Sequence, residues 1–157
     1  MHVNYPRSGW QPASLAVATL FLAFLAIGCP SQPPQITIES QYAELSPALF
    51  GVGSVFMTIR NSGGGDAVTG ISVNVPGAYV ELHDIKNRRM VKVEKIAVPA
   101  HGTTELKPGG LHVMVFNMPK TMREGSDVVL TLVFERSGER KVPVRLENPK
   151  EHPADRP

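Results

Sequence analysis

The sequence predicts an all-β domain over residues 36–147, folded as an antiparallel β-sandwich of Greek-key type. Short runs of alternating apolar and polar residues recur through this region, and a period of two is typical of half-buried strands. Turn-forming segments rich in Gly, Pro, Asn and Asp separate these runs. No segment of the region shows a sustained helical period. Roughly seven or eight short strands in about 110 residues favour a sandwich.

The segment that precedes this domain is predicted to direct export. Arg7 is the only charged residue before a continuous apolar run, ASLAVATLFLAFLAIG, at residues 13–28. This run is too short to span a bilayer comfortably and is typical of the hydrophobic region of a signal peptide. It ends at the sole cysteine, Cys29. The small residues before Cys29 resemble a bacterial lipobox, in which the thiol is lipidated and the chain is cut just before it.

We therefore expect residues 1–28 to be a lipoprotein signal peptide. Residues 29–35, CPSQPPQ, are predicted to be a Pro-rich spacer that holds the domain away from a membrane. The alternative is an ordinary secretory signal followed by a chance cysteine, and both alternatives export the protein. Because Cys29 is the only thiol, we expect neither an intramolecular disulfide nor a cysteine metal ligand in the domain.

The predicted strands follow one another along the domain. The run SVFMTIR at residues 54–60 places Val55, Met57 and Ile59 on one face, which predicts a core position for Met57. The run DVVLTLVFE at residues 127–135 alternates in the same way, and RSGER is predicted as the hairpin turn after it. Residues 148–157 are predicted to form a polar tail. The remaining strand segments are GISVNV (70–75), AYVELH (78–83), KVEKIAV (92–98), TTELKPGG (103–110) leading into GGLHVMVFNM (109–118), and KVPVRL (141–146).

Charge and motifs exclude several functional classes. The net charge is only +2 and the basic residues are scattered among acidic ones, so no nucleic-acid-binding stripe is present. The chain has no Gly-x-Ser-x-Gly elbow, no phosphate-binding glycine loop followed by Lys, and no His-Glu-x-x-His motif. The glycine-rich segment NSGGGD joins two predicted strands and precedes no predicted helix, so it is interpreted as a turn. We therefore do not expect an enzyme.

Two histidines and two methionines form a pattern typical of a copper site. In a strand over residues 109–118, His112 and Met114 share one face while the apolar residues between and beside them face the core. Met90 precedes His112 with 21 residues between them, and His83 precedes Met90 with six residues between them. Thioethers favour Cu(I), whereas Zn(II) normally recruits Cys, His or carboxylate. The alternative is that His112 is an incidental residue of a half-buried strand, and that His83 and Met90 are surface residues of a hairpin.

The chain resembles the periplasmic copper chaperones known as PCu(A)C over nearly the whole domain. The segments that carry the resemblance are FMTIRNSG, VELHD, VPAHGTTELKPGGLHVMVFNM and MREGSDVVLTLVFE. The resemblance implies a cupredoxin-like β-sandwich and a Cu(I) site formed by His83, Met90, His112 and Met114. The family usually has about ten residues between the first two ligands where this chain has six, although a hairpin needs few residues to return Met90 to His83.

The resemblance implies an exported Cu(I) metallochaperone that delivers copper to a copper site of a respiratory terminal oxidase. We expect a monomer, anchored by lipid on the periplasmic side of a bacterial membrane. Lys86, Arg88 and Arg89 lie in the short loop beside the predicted site, where they are candidates for steering an acidic partner; a solvated turn is the alternative. The alternative functions are a copper storage or resistance lipoprotein and a metal-free β-sandwich scaffold lipoprotein.

Overall fold

The computed structural model describes residues 1–2 and 32–147 of the chain. Most of the predicted signal peptide, Cys29 and the predicted polar tail therefore lie outside the described residues. Within the described part, no helix has the length and apolar character needed to cross a membrane. Residues 32–147 contain ten strands: β1 (Ile36–Leu45), β2 (Gly53–Asn61), β3 (Asp66–Val73), β4 (Tyr79–Lys86), β5 (Arg89–Lys92), β6 (Ile96–Val98), β7 (Gly102–Leu106), β8 (His112–Phe116), β9 (Asp127–Phe134) and β10 (Gly138–Glu147).

The strands form two sheets that meet where β1 lies beside β10. Across the whole assembly the strand order is β5-β4-β8-β2-β1-β10-β9-β3-β6, and β7 pairs with β2 beyond the end of β8. All the pairs are antiparallel except β1 with β10, which run parallel over a short stretch at Ala43 and Glu44. This parallel pair corrects the expectation of a purely antiparallel sandwich, and the all-β prediction itself is confirmed.

The core lies between the two sheets and is formed by alternate residues of their strands. Along β9, every second residue from Val128 to Phe134 is buried, as the sequence pattern predicts. Met57 is 2% exposed and lies in the same core, which confirms its predicted position. Each large apolar side chain buried in this way stabilises the fold by about 1.5–3 kcal/mol relative to exposure.

Asp66, at the start of β3, ties that strand to the β9–β10 turn. One carboxylate oxygen accepts hydrogen bonds from the backbone N–H groups of Ala67 (2.8 Å) and Arg136 (2.9 Å). The other accepts from the backbone N–H of Ser137 (3.0 Å) and from the Ser137 hydroxyl. Burial alone would raise the pKa of Asp66, but these hydrogen bonds outweigh it and hold the pKa below its ordinary value.

A two-residue turn joins β4 to β5. Lys86 pairs directly with Arg89, and the two residues between them, Asn87 and Arg88, have φ angles of 51° and 62°. Positive φ at both central positions is the geometry of a type I′ turn, whose twist matches that of the flanking strands. The expected loop is therefore a tight hairpin. This hairpin pairs Met90 with Ile85 instead of with His83.

Candidate metal centre

The strand registers place the four predicted ligands on one face of the sheet. His83 on β4 lies directly opposite His112 on β8, and Glu81 lies opposite Met114 in the same pair of strands. Residues directly opposite one another in an antiparallel pair project to the same side. The alternate residues Leu82 and Val113 belong to the core, so this shared face is the outer face of the sheet. The centroids of the two imidazole rings are 5.9 Å apart.

Three of these side chains are buried although they lie on the outer face. His112 is 4% exposed, Met114 is 6% exposed and His83 is 9% exposed. Aromatic rings flank them on both sides, since Phe56 lies 6.3 Å from the His112 ring and Phe116 lies 6.2 Å from the His83 ring. Pairing of Phe116 with Tyr79 and of Phe56 with Tyr42 extends this row of rings, with centroid distances of 5.0 and 5.2 Å. The imidazoles and the thioether therefore share a largely dry environment.

Met90 is not brought together with these three residues. It lies on β5, the outermost strand of its sheet, two residue pairs along from the pair that contains His83. Lys92 takes the position on β5 directly opposite His83. Met90 is 50% exposed, so its thioether is free to adopt several rotamers. The structure thus assembles His83, His112 and Met114 and leaves Met90 at the margin of the same face.

Hydrogen bonds orient each of the three buried side chains. Nε2 of His83 lies 3.0 Å from a carboxylate oxygen of Glu81, and Nδ1 of His112 lies 2.8 Å from the carbonyl oxygen of Gly110. The Ser54 hydroxyl donates to Sδ of Met114 at 3.3 Å. Nδ1 of His83 is buried and has no hydrogen-bond partner among the described residues.

Glu81 is the nearest charged group, and both of its carboxylate oxygens are engaged. One lies against His83, and the other accepts a hydrogen bond from Nζ of Lys92 at 2.9 Å. The hydrogen bond with His83, followed by that with Lys92, holds the pKa of Glu81 below its ordinary value, and Glu81 in turn raises the pKa of Lys92. Glu81 is therefore an ionised carboxylate that is held by His83 on one oxygen and by Lys92 on the other.

The described residues form no cluster of carboxylate, imidazole and thiolate ligands for a metal ion. In residues 1–2 and 32–147, no group of three or more His, Cys, Asp or Glu side chains is arranged to hold a metal ion. A third side-chain donor at the His83–His112 pair would therefore come from another residue type, and Met114 is a buried thioether on the same face.

The basic residues predicted to contact a partner all lie at the β4–β5 hairpin. Lys86 ends β4, Arg88 lies in the turn and Arg89 begins β5, and all three are exposed. Lys86 has only a long contact of 3.8 Å with Asp84. The hairpin thus presents positive charge to solvent on the same pair of strands that carries His83 and Met90.

Three further residues neighbour the predicted ligands and were not predicted from the sequence: Glu81, Lys92 and Ser54. Glu81 had a detectable signal, because a residue two positions before His83 in a strand shares its face. Lys92 and Ser54 had none, because their proximity depends on the pairing of β5 with β4 and of β2 with β8.

Comparison with known proteins gives a family match over most of the domain. The LpqE-like family, described as "Putative lipoprotein LpqE-like", matches residues 36–146. A relative from Leifsonia xyli subsp. xyli (strain CTCB07), named "Putative lipoprotein Lxx21020", is 24% identical over 102 residues. That alignment covers 62% of this chain and 61% of the length of the relative.

Several solved structures share the fold. The copper-bound PCuAC domain from PmoF2 aligns with a TM-score of 0.62 and 24% identity over 74% of this chain and 96% of that domain. The apo PCuAC domain from PmoF1 aligns with a TM-score of 0.64 and 24% identity, over 74% of this chain and 97% of that domain. The solution structure of CuI-DR1885 from Deinococcus radiodurans aligns with a TM-score of 0.56 and 19% identity, over 79% of this chain and 83% of that protein. These likenesses confirm the predicted cupredoxin-like β-sandwich.

Proposed function

Because the chain belongs to the LpqE-like family, we propose that it is an exported, lipid-anchored Cu(I) metallochaperone and not an enzyme. In this proposal copper is the cargo. His83, His112 and Met114 hold it, and Met90 supplies a fourth, outer donor. Two of the proteins that share its fold are named as copper-bound forms, which supports copper as the metal.

The observation that carries the proposal is the buried Nδ1 of His83, which lacks a hydrogen-bond partner among the described residues. Leaving a buried polar atom unsatisfied costs about 1–3 kcal/mol. A bound metal ion would satisfy this nitrogen. The imidazole of His112 and the thioether of Met114 lie on the same face within the same buried cluster.

The donor set fits Cu(I) better than the common alternatives. A thioether is a soft, neutral donor that favours Cu(I), and imidazole contributes affinity to many metals. Zn(II) normally recruits Cys, His or carboxylate ligands, and Mg²⁺ and Ca²⁺ favour oxygen donors. The carboxylate that contacts His83, that of Glu81, already has one hydrogen-bond partner at each oxygen. The site therefore offers two imidazole nitrogens and one thioether sulfur, while His83 and Lys92 engage the oxygens of Glu81.

The exposed residues at the edge of the site support delivery of copper to an acceptor. Met90 is half exposed on the outermost strand, so its bond to copper can be exchanged for a donor from a partner without opening the core. The exposed basic residues at the β4–β5 hairpin would steer an acidic partner. We propose that this partner is a copper-accepting subunit of a respiratory oxidase, and that the chaperone acts as a monomer anchored through Cys29 on the periplasmic side of the membrane.

Anaerobic Cu(I) titration followed by a transfer assay tests this function. We expect one Cu(I) per chain, little Zn(II) binding, and transfer to an apo oxidase copper domain in the presence of a chelator that traps free Cu(I). If transfer stops when the chelator is added, copper is simply released, and a storage or resistance role replaces delivery. If the protein binds no Cu(I), the metal-free scaffold alternative is favoured instead.

A further inference from the structure

We infer that Glu81 is a positioning residue that determines which nitrogen of His83 is available to copper. The inference deepens the proposed function and rests on it for the metal. It assigns an unsymmetrical pair of donors, Nδ1 of His83 and Nε2 of His112. The assignment follows from the partners of the other two ring nitrogens.

The His83 tautomer follows from its contact with Glu81. An ionised carboxylate only accepts hydrogen bonds, so Nε2 of His83, 3.0 Å from Oε2 of Glu81, must carry the proton of that bond. A neutral imidazole has one N–H, and coordination requires the neutral ring. The lone pair of His83 is therefore on Nδ1, the nitrogen that is buried without a hydrogen-bond partner among the described residues.

The His112 tautomer is the opposite one. Its Nδ1 lies 2.8 Å from the carbonyl oxygen of Gly110, which is also an acceptor only. Nδ1 of His112 must therefore donate, and Nε2 carries the lone pair. Two histidines that face each other across adjacent strands thus present different nitrogens, and each is fixed by an acceptor outside the metal site. Outer partners of this kind orient metal-binding imidazoles and raise their basicity.

Lys92 determines which oxygen of Glu81 remains for His83. Its ammonium group is a pure donor and bonds Oε1 of Glu81 at 2.9 Å, while Oε2 is left for His83. A carboxylate serves both neighbours because both of its oxygens accept. A glutamine in its place would have one acceptor and one donor. Lys92 would take the amide oxygen, which would turn the amide NH₂ group toward Nε2 of His83.

The isosteric substitution E81Q therefore gives a specific test. Long-range ¹H–¹⁵N NMR of the metal-free protein at about pH 8, above the usual imidazole pKa, should show His83 protonated at Nε2 and His112 protonated at Nδ1. In E81Q, the His83 signals should shift toward the form protonated at Nδ1, while those of His112 stay unchanged. The matched control is E105Q, because Glu105 also accepts a lysine hydrogen bond, from Lys107, and has no hydrogen bond to a histidine among residues 32–147.

The copper readout uses the same two variants. E81Q should lower Cu(I) affinity by about 10- to 100-fold, the usual effect of removing an outer partner of a metal ligand, and E105Q should bind as the wild type does. A wild-type His83 protonated at Nδ1, or an E81Q protein with unchanged tautomer and affinity, would overturn the inference. If the wild type binds no Cu(I), the proposed function fails, whereas the tautomer measurement on the metal-free protein still decides the role of Glu81.

Discussion

Replacing Met114 by leucine separates the chemical role of its sulfur from its role in packing. Leucine and methionine are similar in volume, and such exchanges in a core usually cost less than about 1.5 kcal/mol. Met114 also accepts a hydrogen bond from the Ser54 hydroxyl, and the loss of this bond adds about 1 kcal/mol at most. We therefore expect M114L to fold, with a free energy of unfolding lowered by about 1–2 kcal/mol.

The expected effect on copper is larger than the effect on stability. Removing an outer partner of a metal ligand already costs about 10- to 100-fold in affinity, so removing a direct donor should cost more than about 100-fold. At about 1.4 kcal/mol per tenfold change, this corresponds to at least about 2.8 kcal/mol. M90L should cost about tenfold or less, because binding must first order a half-exposed methionine at a cost of up to about 2 kcal/mol.

Competition titration with a chromogenic Cu(I) chelator under anaerobic conditions measures these losses. The matched control is M57L, which makes the same exchange at a methionine that is buried in the core between the sheets. M57L should lower stability to a similar extent and leave Cu(I) affinity unchanged. Wild-type affinity in M114L, or an equal loss in M57L, would refute the assignment of Met114 as a ligand.

Three further predictions concern other parts of the molecule. The lowered pKa of Asp66 means that its hydrogen bonds contribute their full stability above its ordinary pKa of 3.8, and that this contribution is lost as the pH falls through the lower value in the folded state. D66N should lower the free energy of unfolding by about 1.5–3 kcal/mol at neutral pH. In urea unfolding measured at several pH values, D66N should also lose less stability in acid than the wild type does. Labelled fatty acid should be incorporated into the wild type and not into C29S, and an unlabelled wild type would exclude the lipid anchor. Neutralising the basic hairpin residues Lys86, Arg88 and Arg89 should slow copper transfer and flatten its salt dependence, with little change in Cu(I) affinity. A collapse in affinity would instead assign the hairpin to the metal site.

The strands that alternate strongly were predictable, because their burial depends on the period of the sequence alone. The inward faces of β2 and β9 and the shared face of His112 and Met114 follow from this period. The parallel pairing of β1 with β10 was not predictable, because no local pattern records which distant strands become neighbours. The contact between His83 and His112 depends on register in the same way.

The position of Met90 shows how a turn decides what spacing alone cannot. Six residues separate it from His83, which suggests a loop that returns one ligand to the other. Four of the six lie in the paired strands and the other two form the turn, and the hairpin contains no glycine to signal a type I′ geometry. Once the turn forms at Asn87 and Arg88, strand pairing fixes Met90 opposite Ile85.

The location of the candidate site on the outer face bears on how copper could leave it. Its three buried candidate ligands lie outside the core cluster, and aromatic rings flank the two histidines, so reaching them does not require the core to separate. On the side of His83 the cover is Phe116 stacked on Tyr79, and Tyr79 is 55% exposed. In our proposal, a partner that displaces Tyr79 and Phe116 would reach the metal after a local movement of side chains, at far less cost than opening a sandwich whose stability depends on the residues beneath. Burial therefore protects the bound metal from solvent in our proposal, and the position outside the core still allows its transfer by ligand exchange.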